Sequence, residues 1–125
     1  MAAADALGEQ WKKYSNAEMV PLSVLSQMRG NNLRYDVSDL SDDLKQHGFR
    51  EPGVIQYSQQ SRTAMLGEGN HRLEAAIQAG MTHMPVRVMR YNMEGPGVPV
   101  RGVDPDRSGY VPGDLKPSEI MDWDD

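Results

Sequence analysis

Leu66-Gly67-Glu68-Gly69-Asn70-His71-Arg72-Leu73-Glu74-Ala75-Ala76-Ile77-Gln78-Ala79-Gly80 sits at the middle of this 125-residue chain, and its neighbours fall into place around it. Ala64-Met65-Leu66 reads as the end of a strand. Two glycines separated by one residue follow, and then Leu73, Ala76 and Ile77 recur at helical spacing. Gly80 stands where a helix C-terminus needs a residue that tolerates a left-handed conformation. A strand, a glycine turn and a helix start leave backbone N–H groups unpaired, with the positive end of the helix dipole behind them. Arg72, and His71 when protonated, add charge and fixed donors at the same mouth. That is the chemistry of an anion site, with phosphate the natural occupant. An ordinary tight turn has the same local appearance, since the third glycine of a dinucleotide fingerprint and the Lys-Ser/Thr of a P-loop are both missing.

Upstream, Met19-Val20 reads as a first strand, and Pro21 to Met28 as a short helical turn with Leu22, Leu25 and Met28 inward. Gly30 to Asp36 is a polar loop. Ser38 is placed to cap the next helix, whose buried stripe is Leu40 and Leu44. Asp39, Asp42 and Asp43 suit the positive end of that helix. Gly48 stops it, and Pro52-Gly53 turns the chain into a strand, Val54 to Tyr57. Ser58 to Ser61 then leads back into Ala64-Met65-Leu66. After Gly80, Val86 and Val88 alternate with Arg87, as in a half-exposed strand. Residues 2–14 read as a short helix with Leu7, Trp11 and Tyr14 on one face.

The run Gly67-Glu68-Gly69-Asn70-His71-Arg72, with Ala75-Ala76, Ala79-Gly80 and Met84-Pro85-Val86-Arg87-Val88 after it, resembles the core of the ParB/sulfiredoxin superfamily. Asp39-Leu40 through Leu44 to Gly48, and on through Pro52-Gly53-Val54-Ile55, resembles that family's preceding helix, turn and strand. The similarity runs from roughly Met19 to Arg90. It implies an α+β fold: a compact domain with a small mixed sheet and flanking short helices. It also implies a nucleotide-phosphate pocket whose two walls are Gly48 to Pro52 and Gly67 to Arg72. The binding set is then Gly48, Arg50, Pro52, Gly67, Gly69, Asn70, His71 and Arg72, with ATP, ADP or CTP as the ligand.

Within that set Arg72 is the strongest phosphate ligand, because its fork pairs with two oxygens at once. His71 is suited to donate to a phosphate or to move a proton, and equally to hold the turn. Glu68 is the candidate catalytic carboxylate and Mg²⁺ ligand, since that ion prefers carboxylates plus substrate oxygens. Asn70 stands where the sulfiredoxins carry their reactive cysteine. The chain has no cysteine, which excludes that chemistry, disulfides and thiolate metal sites alike. Glu68 to Arg72 also resembles the free serine kinases of the superfamily. Their catalytic carboxylate lies elsewhere; Asp36 is one candidate that no motif selects. The partition proteins' Gly-Glu-Arg-Arg is reduced here to Gly67-Glu68 plus Arg72, and no helix-turn-helix pattern follows.

The length suits one domain with a single core. Three segments are expected: 1–18, an N-terminal helical extension; 19–91, the ParB/sulfiredoxin-like domain; and 92–125, an extended Pro/Gly-rich C-terminal arm. In the last, proline and glycine forbid long helices, with a short helix start at Lys116 to Ile120. A formal net charge of −5 disfavours duplex DNA, which is usually met by a basic face. A local patch from Arg50, Arg72, Arg87 and Arg90 keeps nucleic acid as an alternative. No apolar run is of membrane-spanning length, and neither a span nor a secretory signal is visible; a cytoplasmic location is the expectation. Two functions are consistent with these residues. One is nucleotide binding, with phosphotransfer or NTP hydrolysis as its extension. The other is a non-catalytic interaction module, docking a protein partner or a second copy through Trp11, Tyr14, Tyr110 and Trp123; a ParB-like nuclease would be a third, but no metal-ligand cluster supports it.

Overall fold

The computed structural model describes residues 9–29, 36–91, 97–102 and 115–124. Five strands form one mixed sheet: β1 (Glu18–Pro21), β2 (Gly53–Ser58), β3 (Thr63–Glu68), β4 (His83–Tyr91) and β5 (Val98–Pro99). Their spatial order is β1-β4-β2-β3-β5. β2 runs parallel to β4, and the other three pairings are antiparallel. Among the described residues four α-helices accompany them: α1 (Leu22–Met28), α2 (Ser38–His47), α3 (Asn70–Gln78) and α4 (Pro117–Ile120). The fold is therefore α+β, with a mixed sheet and short helices.

Register places the apolar residues on one face. Ile55 pairs with Val88 on one side and Leu66 on the other, Tyr57 with Ala64, and Val20 with Met84. Residues paired across a ladder share a face, and all seven are buried. Leu25, Met28, Leu44, Leu73 and Ala76 from the helices complete the same core. Burying a leucine or isoleucine contributes about 1.5–3 kcal/mol, so this one cluster dominates the stability. Among the described residues no helix is long and apolar enough to cross a membrane.

Several local expectations need correction. Ser38 is not the cap of α2: the helix begins at Ser38 itself, and Val37 precedes it without a side-chain cap. Ser38 instead donates its backbone N–H (3.1 Å) and its hydroxyl to Asp36 Oδ1, so the acid forms the turn. On α2 the buried positions are Ser41 and Leu44, while Leu40 is only half-buried. On α3 the core face is Leu73, Ala75 and Ala76; Ile77 is 41% exposed. β3 does not end at Leu66 but continues through Glu68, with Gly67 as the extra residue of a bulge opposite Val54/Ile55. Ahead of β1, the described part of the N-terminal segment is a single 3₁₀ turn, Gln10–Lys13, and Leu7 lies outside the described residues.

The Pro/Gly-rich C-terminal segment joins the core where it is described. Leu115 and Ile120 are buried with the sheet residues. Arg101 N–H donates to the Ile120 carbonyl at 2.8 Å, and buried Asn16 donates to the Val88 and Leu115 carbonyls. Trp11 and Trp123, read from the sequence as docking a partner, are partly buried and pack against the core. Tyr110 lies outside the described residues.

Candidate functional site

The strand–turn–helix unit read from the sequence is present. Gly69 adopts φ +101°, ψ +14°, a left-handed conformation that sterics reserve largely for glycine. It is also where the chain runs closest to β2, since a Cβ there would lie 3.0 Å from Gly53 Cα. From this residue α3 departs without a side-chain cap. At the other end Gly80 (φ +75°) closes the helix: Gly80 N–H donates to Ile77 and Met81 N–H to Ala76, the paired bonds of a Schellman ending.

Arg72 leaves the first turn of α3 toward the loop between α2 and β2. Its Nη1 donates to the Pro52 carbonyl at 3.1 Å. The two expected walls are thus joined by one side chain. Around it lies a cleft of about 200 Å³ lined by Leu40, Asp43, Leu44, Gly48, Phe49, Arg50, Glu51 and Arg72. Gly48 (φ +68°) turns the chain out of α2 and lets its N–H donate to Leu44. Phe49 is buried beneath the loop.

The cleft brings two arginines and two carboxylates together. Asp43 accepts from His47 Nδ1 (3.0 Å) and lies 3.5 Å from Arg50 Nη2. Glu51 is held by Lys13 Nζ at 2.8 Å. Its carboxyl is held below the ordinary carboxylate value chiefly by that hydrogen bond, with smaller help from the Tyr14 side chain and the charge of Arg72. Among the described residues, Arg72 is within ion-pair distance of no carboxylate and donates to the Pro52 carbonyl. Sequence reasoning missed Asp43 and Lys13 here, and put Glu51 within a wall without giving it a role. Only the i, i+4 spacing of Asp43 and His47 was a local signal.

The remaining sequence candidates are distributed differently. Gly67 sits in the β3 bulge against Gln56, where a Cβ would lie 2.5 Å from its side chain, and does not line the cleft. Glu68 and His71 are exposed, at the strand end and the first turn of α3. Asn70 donates to the Leu66 carbonyl at 3.2 Å, and its Oδ1 is buried without a partner. Two residues apart on a helix, Asn70 and Arg72 project some 200° from each other, so they serve opposite flanks of α3. On the Asn70 flank, Glu74 pairs with Arg29 at 3.0 Å, and Arg29 bridges to Leu66. The expected basic patch is divided. Arg50 faces Asp43, Arg87 stacks 4.6 Å from the Tyr14 ring centroid, and Arg90 reaches Gln59. Among the described residues no group of three His, Asp or Glu is arranged to hold a metal ion.

No protein-family model and no curated protein matches the chain. Among solved structures it is similar to the C-terminally truncated chromosome-partitioning protein ParB from Caulobacter crescentus, complexed with CTP-gamma-S, with 24% sequence identity and a TM-score of 0.47. The similarity covers 61% of this chain, which spans 45% of the length of that one.

Proposed function

We propose that this chain binds a nucleotide through its phosphates, at the cleft where Arg72 meets the Gly48–Pro52 loop. The observation that carries the reading is the bridge from Arg72 Nη1 to the Pro52 carbonyl. It fixes a guanidinium, without a carboxylate partner among the described residues, between a loop and an uncapped helix start. A phosphate there meets a planar bidentate donor beside the favourable end of the α3 dipole. Arg50 supplies a second cation on the same wall. A volume of about 200 Å³ lies below the ~300 Å³ at which small-molecule pockets usually begin. It suits the phosphate end, with the nucleoside lying over the outer surface. By this reading His71, exposed in the first turn of α3, donates to an outer phosphate oxygen, and Glu68, exposed at the end of β3, takes Mg²⁺. One carboxylate plus phosphate oxygens suffices for that ion, without a three-residue cage.

The test is a thermal-shift titration with ATP, ADP, CTP and GTP, each with and without Mg²⁺, on the wild type and Arg72→Ala. A ligand specific for the folded state adds about 2.7 kcal/mol at a hundredfold excess over its dissociation constant. The reading expects a shift in the wild type that Arg72→Ala abolishes. No shift with any nucleotide, or an equal shift in both proteins, would overturn it.

A further inference from the structure

We propose that Lys13, in the 3₁₀ turn ahead of β1, is a positioning residue for the phosphate cleft: by holding Glu51 it keeps Arg72 open to an anion. The inference rests on the nucleotide reading and adds how the charge of that site is set. Glu51 shares the cleft wall with Arg50 and Arg72. Its Oε1 takes a 2.8 Å hydrogen bond from Lys13 Nζ. Lys13 lies 5.3 Å from the Tyr14 ring centroid, and Arg87 lies 4.6 Å from it, both within cation–π range. The turn is thereby anchored beside the cleft, although Lys13 and Glu51 are 38 residues apart in sequence.

The charge balance makes this contact consequential. Two carboxylates and two arginines line the cleft, so what an anion gains there depends on whether the arginine donors stay clear of the carboxylates. Arg72 is close enough to help hold Glu51 ionised, yet forms no ion pair with it. Without Lys13, the carboxylate is free to turn to Arg72. It would then occupy the donors that a phosphate requires. The Lys13 and Glu51 side chains are 57% and 42% exposed, and ion pairs so open to water contribute little to stability. The consequence of losing Lys13 therefore falls on binding, not on folding.

A double-mutant cycle on the full chain tests this, reading the dissociation constant for the nucleotide that gives the largest thermal shift. Lys13→Ala is expected to weaken binding about fivefold, the effect of one unopposed charge at contact distance in water, with an unchanged melting profile. In a Glu51→Gln background the same Lys13 substitution is expected to cost nothing, because no carboxylate remains to be released. An equal loss in both backgrounds would mean that Lys13 attracts the anion directly, and would overturn the proposal. So would undiminished affinity in Lys13→Ala. Absence of binding to the wild type would instead overturn the nucleotide reading, and this inference with it.

Discussion

Arg72 and Pro52, 20 residues apart in sequence, are joined by a 3.1 Å hydrogen bond from a guanidinium nitrogen to a carbonyl oxygen. That bond couples the first turn of α3 to the loop that ends α2. A guanidinium carries five N–H donors, and one of them is committed here. The side chain can therefore tie the two walls together and still present donors to a ligand.

Replacing Arg72 by alanine should cost about 0.5–1.5 kcal/mol of stability, the usual net value of one hydrogen bond, as measured by urea denaturation. Far-UV circular dichroism should stay unchanged, so that a lost nucleotide response is not mistaken for lost folding. Arg72→Lys keeps the charge but not the fork, and should recover only part of the response.

The two left-handed glycines flanking α3 should differ in what they tolerate. Gly80→Ala meets no atom within 4 Å and should cost about 1–2 kcal/mol for the conformation alone. Gly69→Ala adds a 3.0 Å contact with Gly53 Cα, which backbone on both sides cannot easily relieve. It should cost more than Gly80→Ala in the same denaturation experiment, and should also weaken nucleotide binding by shifting the start of α3.

Ile120 is fully buried and Ile77 is 41% exposed. Ile120→Ala should cost about 2–5 kcal/mol, as for other buried aliphatic truncations. Ile77→Ala should stay within about 0.5 kcal/mol, as surface substitutions usually do. A larger loss at Ile77 would contradict the orientation of α3, and a small loss at Ile120 would contradict the place of the C-terminal segment in the core.

Stability should fall as the solution is acidified. Glu74 is held below its ordinary 4.5 chiefly by the Arg29 hydrogen bond, and Asp36 below 3.8 by Ser38. A carboxylate whose folded-state pKa is depressed binds its proton more readily when unfolded. Its stabilisation is thus complete above the ordinary value and is lost as pH drops through the lower folded-state value. Denaturant midpoints should be flat above the carboxylate range and decline below about pH 4.5. Glu74→Gln should make that decline shallower.

What the sequence made legible was what local rules control. Gly48, Gly69 and Gly80 marked chain reversals because each has a positive φ. The alternation of Val86 and Val88 with Arg87 marked β4, and Leu22, Leu25 and Met28 marked the inner face of α1. The errors came from contacts between distant residues or from competition within one turn. Ser38 looked like a cap, but Asp36 took its N–H. Ile77 fitted the helical stripe and Ala75 did not, yet the packing of α3 on the core buries Ala75 in its place. In the candidate site, Arg72 was legible from its motif. The contact of Lys13 with Glu51 was not, because nothing local indicates that a turn ahead of β1 closes on a loop 38 residues later.

The central claim is that phosphate is held between the Gly48–Pro52 loop and the first turn of α3. Backbone amide NMR, following a ¹⁵N-labelled chain through a titration with the best-binding nucleotide, tests it most directly. The account predicts saturating shifts at Gly48, Arg50 and Glu51 together with Asn70, His71 and Arg72, all absent in Arg72→Ala. Saturating shifts confined to other parts of the chain, or a nucleotide response that survives Arg72→Ala, would contradict it.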